Sequence, residues 1–177
     1  HSGKWDPFFE ACNETQTVVA MHIGSSSKMP SASPDAPMSV NATLAFGNAA
    51  FSMTDFLMSG VLVRYPDLKL LYAESQIGWI PYILQRIDQV WADNEAWAQT
   101  KHIPEPPSTY YSRQIYGCFI NDQHGLKSLD EIGVNNVTAE TDYPHSDTTW
   151  PDTKEIMTTL TAGLSQHEIN RVLRENA

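Results

Sequence analysis

Three strand-like segments of the chain end in side chains that can do acid–base or metal chemistry. These side chains are His22, Glu74 and Asp142. Each stands where a turn or a helix is expected to begin, and a proline two residues after Asp142 stops its strand. Parallel strands that deliver polar side chains at their carboxyl ends commonly build the catalytic face of an α/β barrel. The ordered trio therefore predicts a catalytic site at one edge of a sheet.

The imidazole of His22 and the carboxylate of Asp142 suit a divalent metal ion, with zinc as the expected metal. Such an ion lowers the pKa of a bound water towards about 7 and so supplies hydroxide at neutral pH. Asp142 and Glu74 are the predicted catalytic residues, with Glu74 as acid, base or further ligand. Each residue also has an ordinary structural explanation: a hydrogen-bonded loop histidine, a turn cap, and a charge at a helix N-terminus.

Two further residues follow these strand ends closely. His145 lies three residues after Asp142, and Trp79 lies five residues after Glu74. Both are predicted to contact substrate, His145 through its imidazole and Trp79 as the wall of an apolar pocket. The alternatives are an exposed loop histidine and a tryptophan that packs in the core.

Strand and helix patterns alternate along the chain, which is typical of an α/β protein with a parallel sheet. Strands are predicted at residues 17–23, 68–74, 115–120 and 137–141. Helices are predicted at residues 7–15, 48–64, 77–99, 110–114, 122–132, 152–160 and 165–175. Residues 24 to 46 show little periodicity and are predicted to form a loop over the catalytic face. Four strands make half of an eight-stranded barrel or a small open sheet, in one domain of residues 1–177.

The composition excludes some classes of partner. With a net charge of −10 the protein is expected to repel phosphate backbones, so no nucleic acid is expected to bind. No apolar run approaches the roughly 20 residues of a membrane span, and the first residues do not read as a secretory signal. Cys12 and Cys118 follow no metal-binding spacing, so they are predicted to be reduced, buried thiols in a cytoplasmic protein.

The motifs resemble a known family. The run GVLVRYPDLKLLYAESQIGWIPY at residues 60–82 resembles the amidohydrolase-related (amidohydrolase 2) family of metal-dependent hydrolases and decarboxylases. Residues 21–26 and 140–145 are similar to the motifs of that family's fifth and eighth strands. The resemblance runs over nearly the whole chain, and it is specific to the family rather than to any one substrate.

This resemblance implies a distorted (β/α)₈ barrel, of which the chain would form the C-terminal half, strands five to eight. His22 then matches the strand-five metal ligand, and Asp142 matches the strand-eight aspartate that binds metal or serves as base. Many decarboxylases of the family carry a catalytic histidine on strand six, where this chain has Glu74, which weakens the decarboxylase interpretation. No His-x-His pair precedes His22, so the metal site is expected to be incomplete in this chain.

Three functional hypotheses follow. The first is a metal-dependent hydrolase acting on a small organic substrate, carboxylated or cyclic; the second is a non-oxidative decarboxylase of the same family. The third is an inactive half-barrel assembly module. Because half a barrel leaves two sheet edges and one sheet face open, a homodimer or higher homo-oligomer is expected.

Overall fold

Four parallel strands form the sheet in a computed structural model that describes residues 1–23, 30–93 and 95–177. The strands are β1 (Val18–His22), β2 (Lys69–Ala73), β3 (Ile115–Phe119) and β4 (Val137–Ala139). They lie side by side in chain order, so β1 and β4 are the edges of this sheet. This architecture confirms the predicted α/β class and all four strands, each within two residues of the expected ends.

Helices connect the strands. They are α1 (Asp6–Thr15), α2 (Met38–Leu44), α3 (Phe46–Ser59), α4 (Val61–Arg64), α5 (Ile80–Asp93), α6 (Glu95–Ala98), α7 (Pro107–Gln114), α8 (Gln123–Lys127), α9 (Leu129–Ile132), α10 (Thr153–Leu160) and α11 (Gln166–Asn170). A 3₁₀ turn (Val134–Asn136) precedes β4, and a π-helical turn (Arg171–Glu175) follows α11. A capping box at Ser165 begins α11, since its side chain and that of Glu168 each accept the other's main-chain N–H.

Three predicted helices differ from those observed. The helix expected over 48–64 breaks at Gly60, whose φ of 74° lies in the left-handed region that ends helices. The helix expected from residue 77 starts at Ile80 instead, and in the turn before it the Ser75 hydroxyl lies within hydrogen-bond distance of the carbonyls of Tyr72 and Gln76. The helix expected over 122–132 is divided at Ser128.

The predicted loop over residues 24–46 is wrong for its last part. Met38–Leu44 forms α2, whose Ser, Asn and Thr content hides the helical pattern in the sequence. Residues 24–29, and with them the predicted covering of the catalytic face, lie outside the described residues.

The core lies between one face of the sheet and the helices. Alternate strand residues point into it, and Leu70, Tyr72, Ile115, Phe119 and Val137 are at most 2% exposed. The helices contribute, among others, Met53, Leu57, Ile80, Leu84 and Ile87. Gly117 allows the Ile77 side chain to approach β3 closely, since a Cβ at Gly117 would lie 2.9 Å from a side-chain carbon of Ile77. Burial of this face fixes the register, because a shift by one residue would turn these side chains outwards.

The opposite face of the sheet is exposed towards β1 and covered towards β4, where Cys118 and Thr138 are buried. Val18, Lys69, Leu71, Tyr116, Cys118 and Thr138 line a cavity of about 530 Å³ along it. Val18 is 51% exposed although it lies in a strand. Parallel sheets normally have both faces covered, so the exposed part of this face departs from the usual arrangement.

The two thiols are free and buried, as predicted. Burial raises the pKa of the Cys118 thiol to about 12, and Cys118 packs against the Thr138 hydroxyl at 2.9 Å. Among the helices of the described part of the chain, none combines the length and apolarity needed to cross a bilayer.

Candidate metal centre

The strand ends bring the predicted chemical groups to one edge of the sheet. His22 is the last residue of β1 and is paired in register with Ala73, so Glu74 follows directly beside it. Asp142 lies three residues beyond the end of β4. Because the strands are parallel, all three side chains stand at their carboxyl ends, as the sequence predicts.

Glu74 is the central group of this edge. Its Oε1 lies 2.5 Å from Nε2 of His22, and its side chain is only 14% exposed. Its φ of 57° lies in the left-handed region, which costs energy for a residue with a Cβ. The chain thus holds Glu74 in a conformation that the isolated segment would disfavour.

Asp142 and His145 form a second pair at the same edge of the sheet, in the loop that follows β4. Nδ1 of His145 donates to Oδ2 of Asp142 at 2.6 Å, and their side chains are 62% and 13% exposed respectively. In the neutral ring this bond leaves the lone pair on Nε2, which can then bind a metal or a proton. Asp142 also has a positive φ, 53°, which aspartate tolerates better than most residues.

Three of these side chains lie close enough to share one cation. Ligand atoms of Glu74, Asp142 and His145 are all within 4.8 Å of one another. Two carboxylates and an imidazole form a donor set that suits zinc or manganese. The residues present therefore fit the divalent ion that the sequence motifs imply.

His22 meets this group through Glu74 rather than as a member of it. Its Nδ1 donates to the Ile23 carbonyl at 2.5 Å, which directs Nε2 towards Glu74. That hydrogen bond, and then the negative charges of Glu74 and Asp142, raise the pKa of His22 although partial burial lowers it. The metal-ligand role of His22 stays a prediction.

Trp79 anchors the turn that follows Glu74. Its indole N–H donates to the carbonyls of Ser75, at 2.8 Å, and Gln76, at 3.0 Å. Its ring stacks on Phe46 with the centroids 6.2 Å apart. These contacts give Trp79 a structural role, and its predicted contact with substrate stays a prediction.

One residue of the site is missing from the sequence-based prediction. Glu140 is partly buried, and its Oε1 accepts the main-chain N–H of Glu74 at 2.5 Å. The available signal was the spacing of Glu140 and Asp142, since residues i and i+2 of an extended segment point to the same side.

Comparisons with known proteins show the family of this chain. A model of the amidohydrolase family matches residues 1–177. The chain belongs to the amidohydrolase family. A search of proteins with curated function finds no match.

Several solved structures share the fold of this amidohydrolase chain. An amidohydrolase from Mycobacterium avium subsp. paratuberculosis superposes with a TM-score of 0.75 at 19% identity, covering 97% of this chain and 44% of its own. The 5-carboxyvanillate decarboxylase from Sphingomonas paucimobilis gives 0.71 at 20% identity, covering 96% and 50%. A dihydroxybenzoic acid decarboxylase from Polaromonas, with bound manganese and 2-nitroresorcinol, gives 0.68 at 17%, covering 97% and 51%. The chain thus spans about half the length of these barrel proteins.

Proposed function

We propose that this chain carries part of the active site of a metal-dependent hydrolase that acts on a small organic substrate, carboxylated or cyclic. The observation that carries the proposal is the cluster of Glu74, Asp142 and His145, whose ligand atoms lie within 4.8 Å of one another. In this proposal the four strands correspond to strands five to eight of a (β/α)₈ barrel. The order of the strands and the match to half of longer barrel chains support it.

Asp142, Glu74 and His145 would hold the metal, with His22 beside them. When bound, a divalent ion polarises the substrate and makes its own water more acidic. Zinc is the expected metal from the donor types, and manganese is the alternative, since the Polaromonas decarboxylase structure contains bound manganese.

The protein's own groups supply the proton transfers. Glu74 and His22 are in direct hydrogen-bond contact, so a proton can pass between the carboxylate and the imidazole. Asp142 orients the His145 ring through its 2.6 Å hydrogen bond to Nδ1, so that Nε2 keeps the lone pair that would bind the metal. His145 is the more exposed of the two, and it is therefore the group placed to meet a substrate arriving from solvent.

Non-oxidative decarboxylation is the second candidate. Two of the solved structures described above are decarboxylases of small aromatic acids. By the sequence resemblance, many decarboxylases of the family carry a histidine at the position of Glu74. The glutamate at this position favours the hydrolase hypothesis. An inactive assembly module is the third candidate, supported by the half-length match.

The free, buried thiols support the proposed cytoplasmic location.

Metal binding by the purified chain tests the proposal. Protein prepared without chelator is expected to bind close to one equivalent of Zn²⁺ or Mn²⁺, measured by elemental analysis and by calorimetric titration. Ester, lactone and aromatic-acid substrates are then compared in the presence of that metal. A chain that binds neither ion contradicts the metal-dependent proposals. Bound metal with release of carbon dioxide, and without hydrolysis, favours the decarboxylase.

A homodimer is the proposed partner arrangement. In chain order β1 and β4 are the sheet edges, so a twofold axis parallel to the strands would set β4 of one copy beside β1 of the other. Eight parallel strands would then close around the faces opposite the cores. The solved barrel chains, about twice as long as this one, support this size.

Light scattering is expected to give twice the 19.8 kDa of the chain. Leu71→Glu places a charge on the face of the sheet opposite the core and is expected to dissociate the dimer, because unpaired charge is costly in a core interface. Phe51→Glu is the matched control, since Phe51 is 76% exposed on α3 in the helical layer. This arrangement is contradicted if the wild-type chain is a monomer. It is also contradicted if Phe51→Glu dissociates the dimer and Leu71→Glu does not.

A further inference from the structure

Glu140 lies at the end of β4 but acts at the end of β2. Its main-chain N–H donates to the Phe119 carbonyl at 3.0 Å, which fixes its backbone to the end of β3. Its side chain then reaches across β3, and Oε1 accepts the N–H of Glu74 at 2.5 Å. One residue thereby connects the ends of three neighbouring strands.

The bonded N–H belongs to the strained residue of the site. Glu74 has a φ of 57°, and such backbone persists only where surrounding contacts hold it. The orientation of that peptide decides where the Glu74 carboxylate points, and the carboxylate lies 2.5 Å from His22 and within 4.8 Å of the ligand atoms of Asp142 and His145. A group that holds this peptide therefore also sets the geometry of the metal cluster.

Glu140 is distinct from the cluster itself. The cluster that could share one cation consists, among described residues, of Glu74, Asp142 and His145, and does not include Glu140. Burial, together with the negative charges of Glu74 and Asp142, raises the pKa of Glu140, although the hydrogen bond from Glu74 and the charge of His22 lower it.

We propose that Glu140 is a positioning residue, which holds the Glu74 main chain by accepting its N–H so that the Glu74 carboxylate faces Asp142 and His145. The role requires an acceptor oxygen on a side chain of this length, and it does not require the negative charge. The metal part of this inference rests on the proposed function.

Two substitutions at Glu140 distinguish a role as hydrogen-bond acceptor from a role of its negative charge. Glu140→Gln keeps an oxygen acceptor at the same length, whereas Glu140→Met keeps the approximate volume and removes the acceptor. Glu140→Met is expected to weaken Mn²⁺ binding about tenfold, which is the usual effect of losing a group that orients a metal ligand. The Mn²⁺ affinity of Glu140→Gln is expected to stay within about threefold of wild type. Glu131→Met is the control, because it makes the same substitution at an exposed glutamate outside the site.

Amide hydrogen exchange of Glu74 reports the contact without any metal. Protection is expected in wild type, Glu140→Gln and Glu131→Met, and exchange about tenfold faster in Glu140→Met. Unchanged protection in Glu140→Met overturns the proposal, and so does a Glu140→Gln variant that loses Mn²⁺ as strongly as Glu140→Met. If Glu140→Met does not fold, loss of protection or of affinity in Glu140→Gln still overturns it. Exchange as expected in a wild-type chain that binds no Mn²⁺ leaves the contact standing and refutes the proposed function.

Discussion

Asp142→Asn is expected to weaken metal binding by about 100-fold or more, which is the largest effect on the site that we predict. The substitution removes the negative charge and leaves a side chain of the same shape. Asparagine tolerates the left-handed φ of 53° at this position, so the backbone is not expected to change. Its amide oxygen can still accept the His145 N–H that now lies 2.6 Å from Asp142. The loss therefore reports the carboxylate as a ligand and not a collapse of the loop.

Titration of Zn²⁺ or Mn²⁺ by calorimetry measures this effect. Asp147→Asn is the matched control, because Asp147 is an exposed carboxylate in the same loop, five residues further on. It is expected to bind metal as the wild type does, with an unchanged melting temperature. Equal affinity of Asp142→Asn and Asp147→Asn would remove Asp142 from the metal site.

The strand ends were the predictable part of the fold and of the site. Alternating apolar residues predict a strand that is buried on one face, and a polar residue at its end must then lie at the sheet edge. This reasoning places His22, Glu74 and Asp142 correctly at one edge. It depends only on local pattern and on the geometry of parallel strands, both of which a single sequence contains.

The contacts between strand ends were not predictable from the sequence. That Glu74 contacts His22, and that Glu140 crosses β3 to reach Glu74, depends on sheet twist and on backbone conformation at positive φ. The break at Gly60 has a similar origin, since a glycine inside a helical pattern either stays helical or ends the helix according to its tertiary contacts. Such features arise from packing between segments that are distant in the chain.

Phe119→Ala is expected to lower the free energy of unfolding by about 3–5 kcal/mol, the largest stability effect that we predict. Phe119 is fully buried at the end of β3, and its side chain belongs to the core between the sheet and the helices. Truncation removes the transfer free energy of the ring and leaves a cavity that the neighbouring strands can fill only in part. Domains of this size are stable by only about 5–15 kcal/mol, so this loss is a large fraction of the total free energy of unfolding.

Urea denaturation at one fixed protein concentration measures the loss, since association of copies would otherwise change the apparent stability. Phe119→Leu keeps most of the volume and is expected to cost only about 1–2 kcal/mol. Phe51→Ala removes an aromatic ring that is 76% exposed, and it is expected to change stability by less than about 0.5 kcal/mol. The Phe119 carbonyl accepts the Glu140 N–H, so a core that relaxes around Phe119→Ala is also expected to loosen the Glu74 anchor. A Phe119→Ala variant as stable as Phe51→Ala would show that β3 is not packed as described.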